Sequence, residues 1–265
     1  MRAADFTRVL TPFVVIAVLT LLGVVAPAHN GARAQTKPTA QVPDITGSWE
    51  RHGLGQRGSG PRDATIPPPA PQVQLKPEYQ KQWQERIQAV READAKGEPL
   101  ATNYTDCLPD GMPTMMGAMF PLEILQSRGQ VTIIEEAFTQ VRRILMDRPQ
   151  KPFDEVEPGF YGHSVGRWEG DTLVVDTIGI KESVRFQNMP HSPQMRVRER
   201  MRLMAPNVLW NEITIEDPVT LEKPHSYTVA YRRMPNYTLL EYVCEDNREY
   251  ADEKGRQKIR VEPTR

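Results

Sequence analysis

The chain has 265 residues, of which 33 are Lys or Arg and 34 are Asp or Glu, so its formal net charge at pH 7 is −1. This near balance gives no general electrostatic reason to expect nucleic acid or an anionic membrane surface as a partner. The 24 prolines are nearly twice the average share, and many of them fall in one segment early in the chain.

The first 34 residues have the three-part layout of a secretory signal peptide. Arg2 and Arg8 precede an apolar run from Pro12 to Ala28, and an A-x-A cleavage pattern follows in GARAQ. The run is shorter than the roughly 20 residues of a transmembrane helix, although an uncleaved anchor is the alternative. We predict a signal peptide over residues 1–34, a periplasmic or secreted protein with no membrane partner after cleavage, and a single domain over 35–265.

The only two cysteines, Cys107 and Cys244, lie in the predicted mature part. In an oxidising compartment two thiols more often pair than stay free, so we predict a disulfide between them. The alternative is a pair of buried, unreactive thiols.

The elements before residue 100 are one strand, an extended segment and one helix. DITGSWE, Asp44 to Glu50, predicts a first strand, and the Pro-rich strap at 61–77 predicts an extended, polyproline-like segment. From Pro77 to Lys96, an apolar stripe at helical spacing and Gly97 after its end predict a helix that packs on the domain.

From Leu122 onwards the pattern is strands separated by short turns. The predicted strands lie in LEILQS, QVTIIEE, FTQVRRILM, HSVGRW, TLVVDTIGI, MRVRERMRLM, VLWNEITIED, SYTVAYRR and TLLEYVCED. The predicted fold class is mostly β, an antiparallel meander that closes into a lipocalin-like barrel, since closure removes exposed strand edges. A two-sheet sandwich is the alternative.

The stretch GHSVG, Gly162 to Gly166, fits the G-x-S-x-G pattern of hydrolase nucleophile elbows. An elbow needs a strand before the serine and a helix directly after it. Here Ser164 lies inside a predicted strand that is followed by a turn and another strand. We interpret the motif as a coincidence, with the glycines permitting a bend or bulge.

Two resemblances to known families add to this reading. TGSWE, with Gly47 and Trp49, resembles the G-x-W signature that opens the first strand of lipocalins, where the Trp closes one end of the barrel. The stretches CLPDGMP, GHSVGRWEGDTLVVDTIG, HSP…RVRERM, ITIEDP and LLEYVCEDNRE together resemble a large, mostly uncharacterised family of secreted bacterial proteins. The second resemblance implies an association with cofactor-independent decarboxylases or lyases of aromatic acids, and implies no role for particular residues.

Three carboxylates fall in otherwise apolar rows of predicted strands. Glu199 shares a face with Val197 and Met201, Asp176 lies in line with Val174 and Ile178, and Glu241 alternates with apolar neighbours in its strand. A carboxylate inside a barrel is costly unless paired, and an unpaired one has a raised pKa that suits acid/base chemistry. The alternative is a structural ion pair with an inward arginine.

The candidate site residues lie in the predicted strands. The catalytic candidates are Glu199, Asp176 and His163. The substrate-binding candidates are Arg142, Arg167, Glu241, Tyr242 and Trp210. No close His/Cys group and no nucleotide-binding motif occurs in the sequence, so we predict no metal and no cofactor, with a metal site built from distant strands as the alternative.

Two functions remain open at this stage. The first is cofactor-free acid/base chemistry, of lyase or decarboxylase type, on a small apolar or aromatic organic acid in the barrel interior. An inward arginine would then orient the carboxylate, Glu199 or Asp176 would move a proton, and aromatic side chains would stack on the ring. The second is a non-catalytic, lipocalin-like carrier of a small molecule.

Overall fold

Nine strands close into a β-barrel in the computed structural model, which describes residues 42–53, 63–98, 100 and 107–244 and the backbone of 250–251 and 257–258. The barrel strands are β1 Gly47–Arg51, β2 Leu122–Ser127, β3 Gln130–Glu135, β4 Gln140–Met146, β5 His163–Glu169, β6 Thr172–Ile178, β7 Arg196–Ala205, β8 Val208–Glu216 and β9 His225–Arg233. A short ribbon pairs β10 Tyr250–Ala251 with β11 Gln257–Lys258, and α1 Pro77–Ala95 is the α-helix of the described residues. The predicted barrel with one helix is confirmed, and the sandwich alternative is wrong.

Strand alternation decides which side chains fill the barrel. In β7, Val197, Glu199 and Met201 are buried, and the arginines between them face outwards. Successive side chains of a strand point to opposite faces, so one row enters the core and the other meets solvent. The outward arginines pair with carboxylates of neighbouring strands, as Arg198 does with Glu216.

One connection in the barrel is not a hairpin. β4 and β5 are parallel, with Ile144 opposite Ser164, so residues 147–162 cross back outside the barrel before β5 begins. The crossover covers the outer face of β5 and β6, where Gln150 donates hydrogen bonds to the carbonyl oxygens of His163 and Asp176. The predicted antiparallel meander, joined mainly by hairpins, has this one parallel pair as an exception among the described barrel strands.

The two ends of the barrel differ in the length of their connections. The short-turn end has the two-residue turns 128–129, 170–171 and 206–207. The opposite, long-loop end has the connections 52–121, 136–139, 179–195 and 217–224. Binding and catalytic residues lie more often on long connections than on tight turns, so we expect a functional site at the long-loop end.

Trp49 is fully buried in the barrel. Its indole Nε1 donates a hydrogen bond to the carbonyl oxygen of Ile45 at 3.0 Å, and the guanidinium of Arg233 lies 4.2 Å from its ring centroid. The strand that contains it was predicted from Asp44 to Glu50 and is observed at Gly47–Arg51.

The predicted helix is confirmed over Pro77–Ala95, with Lys96 as its C-cap. Its Tyr79 and Trp83 pack against the core, and the Trp83 indole donates to the carbonyl oxygen of Gln187 at 2.9 Å. The helix therefore contacts the 179–195 connection.

The described part of the Pro-rich strap, residues 63–76, contains no regular strand apart from an isolated bridge between Leu75 and Leu221. Near its start, the carbonyl oxygen of Thr65 accepts a hydrogen bond of 2.7 Å from the indole of Trp210 on β8. The strap therefore reaches β8 at one end and the 217–224 connection at the other.

The segment after β9 is irregular, so the strand predicted in TLLEYVCED is wrong over its described residues up to Cys244. The two edges of β9 are taken by β8 and by β1, which leaves a further strand no partner there. The segment runs instead to the long-loop end, where Glu136 accepts from Tyr237 Oη and from the Leu240 amide. There the predicted disulfide between Cys107 and Cys244 is confirmed.

The predicted signal peptide lies outside the described residues. Within the part of the chain that the structure describes, no helix has the length and apolarity needed to cross a membrane.

Candidate functional site

The barrel interior contains a group of buried polar side chains, here called the interior cluster. Its members come from the seven strands β3 to β9: Glu135, Gln140, Arg142, Ser164, Thr177, Glu199, Asn211, Tyr227 and Tyr231. Polar groups are costly to bury unless they are hydrogen-bonded, so the bonding of each member shows whether it is structural or available to a ligand.

Arg142 and Glu199 form the saturated centre of this cluster. Both side chains are fully buried, and the two guanidinium Nη atoms donate to the two carboxylate oxygens. Arg142 also donates through Nε to Ser164 Oγ at 3.2 Å and through Nη2 to Thr177 Oγ1 at 2.9 Å. Asn211 Nδ2 donates to Glu199 Oε1 at 2.8 Å. Every charged group of this centre is thus engaged within the protein.

Glu135 has a different environment, although it is just as deeply buried. Gln140 Nε2 donates to its Oε2 at 2.7 Å, and Oε1 has no hydrogen-bond partner among the described residues. Burial, with the negative charge of Asp110 nearby, raises the pKa of Glu135 to about 9. At neutral pH Glu135 is therefore a neutral carboxylic acid, and since Oε2 is an acceptor, the proton belongs on the unpartnered Oε1.

The orientation of Gln140 follows from the cap segment, residues 107–121, which lies over the long-loop end. The Gly111 amide donates to Gln140 Oε1 at 3.2 Å, which turns Nε2 toward Glu135. Gly111 has φ +69°, and a Cβ there would lie 2.5 Å from the carbonyl oxygen of Phe160. This position requires glycine, which accounts for the glycine of CLPDGMP in physical terms.

Asp110, next to that glycine, is a second buried acid of the long-loop end. It is 9% exposed, and burial raises its pKa above the ordinary value. Burial, together with the charges of Glu135 and Asp110, also raises the pKa of Tyr161 to about 12. At this end the charge of Asp110 thus acts on Glu135, and the charges of both acids act on the Tyr161 phenol.

Two further polar atoms of the interior cluster, Asn211 Oδ1 and Tyr227 Oη, have no hydrogen-bond partner in the part of the chain that the structure describes. The Tyr231 hydroxyl donates to the Met116 carbonyl oxygen of the cap segment. Burial raises the pKa of both tyrosines, and the negative charge of Glu199 adds to the effect, so both phenols are neutral donors. Unpartnered buried polar atoms mark places where a polar ligand group or a water is accommodated.

An apolar cleft of about 300 Å³, part of it open to solvent, lies between the 179–195 and 217–224 connections. Phe186 lines this cleft and stacks on Tyr227, with ring centroids 5.4 Å apart and planes 11° apart. Asp217 is also at the cleft, but its oxygens accept from the Ser192 amide and hydroxyl and from the amides of the loop after it, so it is a loop anchor.

Of the predicted site residues, the structure brings Glu199 and Arg142 together inside the barrel. Asp176 was predicted to face inwards and does not, since it lies on the outer face of β6, 3.4 Å from Arg196 Nε. The strand β6 has buried apolar residues on both faces, since the crossover covers its outer face, where Ile178 is fully buried. Alternation alone therefore did not determine which face is interior.

Three more predicted residues lie on the outer surface of the barrel. Arg167 is 61% exposed and pairs with Glu169. His163 Nδ1 donates a 2.8 Å hydrogen bond to Gln150 Oε1, and burial and the Lys151 charge lower the pKa of His163. Trp210 faces outwards under the Pro-rich strap. These positions do not support roles inside the barrel.

Glu241 and Tyr242 belong to the irregular segment after β9. Glu241 is exposed, which corrects its prediction as an inward carboxylate. Tyr242 lies at the long-loop end, 5.2 Å from the Phe138 ring centroid, and burial and the Asp110 charge raise its pKa. Tyr242 is thus near the acids although it is not in a strand.

Ser164 of GHSVG is no exposed nucleophile. It is 2% exposed inside β5, and its hydroxyl bonds to Arg142 and to Thr177 Oγ1. Gly166 is needed for space, since a Cβ there would lie 2.7 Å from Ile144 Cγ2. The interpretation of the hydrolase motif as a coincidence agrees with this geometry.

Sequence reasoning missed Glu135, Asp110, Arg51 and Tyr227. Glu135 follows Val131 and Ile133 in an alternating apolar row, the same signal that identified Glu199. Arg51 continues the inward row of Gly47 and Trp49. Asp110 lies in a loop, where no periodicity indicates direction. Among the described residues, no three His, Cys, Asp or Glu side chains are grouped so as to hold a metal ion.

No model of a known protein family matches the chain, and no curated protein matches it significantly. The two family resemblances of the sequence therefore stay predictions. The barrel itself is consistent with the binding of a small molecule.

Proposed function

We propose that the protein is exported and binds a small apolar or aromatic organic acid at the long-loop end of the barrel, on which it acts by cofactor-free acid/base chemistry. Glu135 takes the role of general acid, in place of Glu199 and Asp176. The disulfide supports an oxidising compartment outside the cytoplasm.

The observation that carries this proposal is that Glu135 is neutral and has only one of its two carboxyl oxygens, Oε2, hydrogen-bonded to the described protein. A general acid must hold its proton at the working pH and must have a free direction in which to donate it. Glu135 meets both conditions through its raised pKa and its unpartnered Oε1. Glu199 has no free direction for donation, because Arg142 and Asn211 occupy both of its oxygens.

The chemistry we propose is proton delivery to a carbon that loses carboxylate. The bond between that carbon and the carboxylate breaks, CO₂ leaves, and the carbon keeps the electron pair and takes the proton from Glu135. The Glu135 carboxylate is then reprotonated by water, and its high pKa favours that step. The buried Met112, Met115 and Met116 of the cap segment are side chains that suit an apolar ligand body.

Glu135→Gln tests this role, since glutamine keeps the shape of the side chain and removes the proton. Turnover of cinnamates and benzoates by the purified chain is followed by release of CO₂. We expect the variant to lose at least about 100-fold in turnover, with ligand affinity retained. The matched control is Glu123→Gln on the outer face of β2, which should leave turnover unchanged.

A non-catalytic carrier is the second candidate, favoured by the cap segment that lies over the long-loop end. Mass spectrometry of the protein purified without additives separates the two functions. A small molecule that co-purifies unaltered, with no conversion of any acid tested, would establish the carrier and exclude the enzyme.

A further inference from the structure

We propose that Arg51, together with the hydroxyl of Tyr227, binds the carboxylate of the ligand, and so makes the site selective for organic anions over neutral molecules of the same shape. This inference rests on the proposed function, because it concerns the ligand of the same interior.

Arg51 is the last residue of β1 and faces into the barrel, two positions after the buried Trp49. Its hydrogen bond within the described chain is from Nη1 to the carbonyl oxygen of Gly117 in the cap segment, at 3.3 Å. No carboxylate of the described residues forms an ion pair with it.

Arg51 differs from the strand arginines that carboxylates neutralise. Inside the barrel, Arg142 is neutralised by Glu199. On the outer face of β7, Arg198, Arg200 and Arg202 each pair with a glutamate. An inward arginine at the entrance of a barrel, bonded only to a backbone carbonyl, retains donors for a carboxylate, which it can bind in bidentate fashion.

Tyr227 supplies a second donor to the barrel interior. Its Oη is buried and unpartnered, while its ring is held by stacking on Phe186. Arg51 lies directly opposite Tyr231 in the β1–β9 pair, and its positive charge opposes the rise in the pKa of both the Tyr227 and the Tyr231 hydroxyls. The phenol and the guanidinium would both donate hydrogen bonds to the ligand carboxylate. The negative charge of that carboxylate would neutralise Arg51.

Arg142 cannot take this role, although its sequence position predicted it. Its donors are directed to Glu199, Ser164 and Thr177, so a ligand carboxylate would have to displace a buried partner. Displacement of one partner of a buried ion pair leaves an uncompensated charge and is strongly unfavourable. Arg51 has no such partner to lose within residues 42–53, 63–98, 100 and 107–244.

The test compares acids with their neutral isosteres. Benzoate, cinnamate and 4-hydroxycinnamate, and the primary amide of each, are titrated into the full chain with its disulfide intact, by calorimetry at pH 7. We expect Arg51→Gln to weaken binding of the acids about 10- to 100-fold and that of the amides by less than about 3-fold. Tyr227→Phe should weaken the acids less than Arg51→Gln does.

Arg202→Gln, on the outer face, removes the same charge and should change neither affinity. Arg51→Lys should restore part of the acid affinity, and circular dichroism checks that each variant is folded. Equal weakening of acids and amides by Arg51→Gln, or no weakening of the acids, overturns the role of Arg51 and leaves the proposed function standing. Failure of the unaltered protein to bind any of the six probes overturns the proposed function and this inference with it.

Discussion

Arg142 on β4 reaches across two intervening strands to Glu199 on β7, and its guanidinium donates to both carboxylate oxygens in the fully buried barrel interior. On the way it bonds to Ser164 of β5 and Thr177 of β6. One side chain thereby ties together four consecutive strands, including the parallel pair β4–β5, which no hairpin turn joins.

We expect Arg142→Met to lower the free energy of unfolding by about 3–5 kcal/mol, because it leaves Glu199 buried without its partner. The double variant Arg142→Met with Glu199→Leu should cost less than the sum of the two single changes. Urea denaturation at pH 7 measures all three. Arg202→Met is the control, since Arg202 and Glu212 are 3.7 Å apart and each 43% exposed, and it should cost less than about 1 kcal/mol. A cost of Arg142→Met no greater than that of the control would contradict the structural role of the pair.

Stability should fall with rising pH because of Glu135. Its pKa is raised from 4.5 to about 9 on folding, so between these values the folded chain holds a proton that the unfolded chain has lost. The stabilisation from that proton is fully present below about pH 4.5 and is lost as pH rises through about 9, with a slope of at most about 1.4 kcal/mol per pH unit. The measurement is the difference in unfolding free energy between the unaltered chain and Glu135→Gln at pH 5, 7 and 9. A difference that is constant across this range would show that Glu135 is ionised in the fold.

Gly47→Ala should destabilise the barrel more than Gly129→Ala does. Both glycines have positive φ, +122° and +78°, which costs an alanine about 1–2 kcal/mol. A Cβ at Gly47 would in addition lie 3.1 Å from Arg233 Nη1, whereas nothing lies within 4 Å of one at Gly129. Arg233 also covers the Trp49 ring, so the added contact disturbs that packing. Thermal unfolding compares the two variants. Equal losses of stability would show that the Arg233 side chain moves away from the added Cβ at no cost.

The barrel and its strands could be predicted because alternation is a local property of each strand. Glu199 and Arg142 were found in this way, and Glu135 gives the same signal. Alternation failed where both faces of a strand are covered, as at Asp176, because the crossover that buries the outer face of β6 is a tertiary feature.

The rest of the site depends on contacts between residues far apart in sequence. Asp110 lies near Glu135 because Gly111 bonds to Gln140, and nothing in the loop sequence indicates this. The strand predicted around Glu241 failed because β1 already occupies the free edge of β9, a consequence of barrel closure.

Removal of the disulfide by Cys107→Ser with Cys244→Ser should lower the free energy of unfolding by about 4–5 kcal/mol, because the bond closes a long loop. The two cysteines are 137 residues apart. The loss should be largest at the long-loop end, since the disulfide joins the cap segment to the irregular segment that contains Tyr242. Amide hydrogen exchange should therefore rise around Asp110 and Glu136 while the strands near the 170–171 turn stay protected. Uniform loss of protection over the whole barrel would contradict this. It would show that the disulfide stabilises the whole fold rather than the segments that cover Asp110 and Glu135.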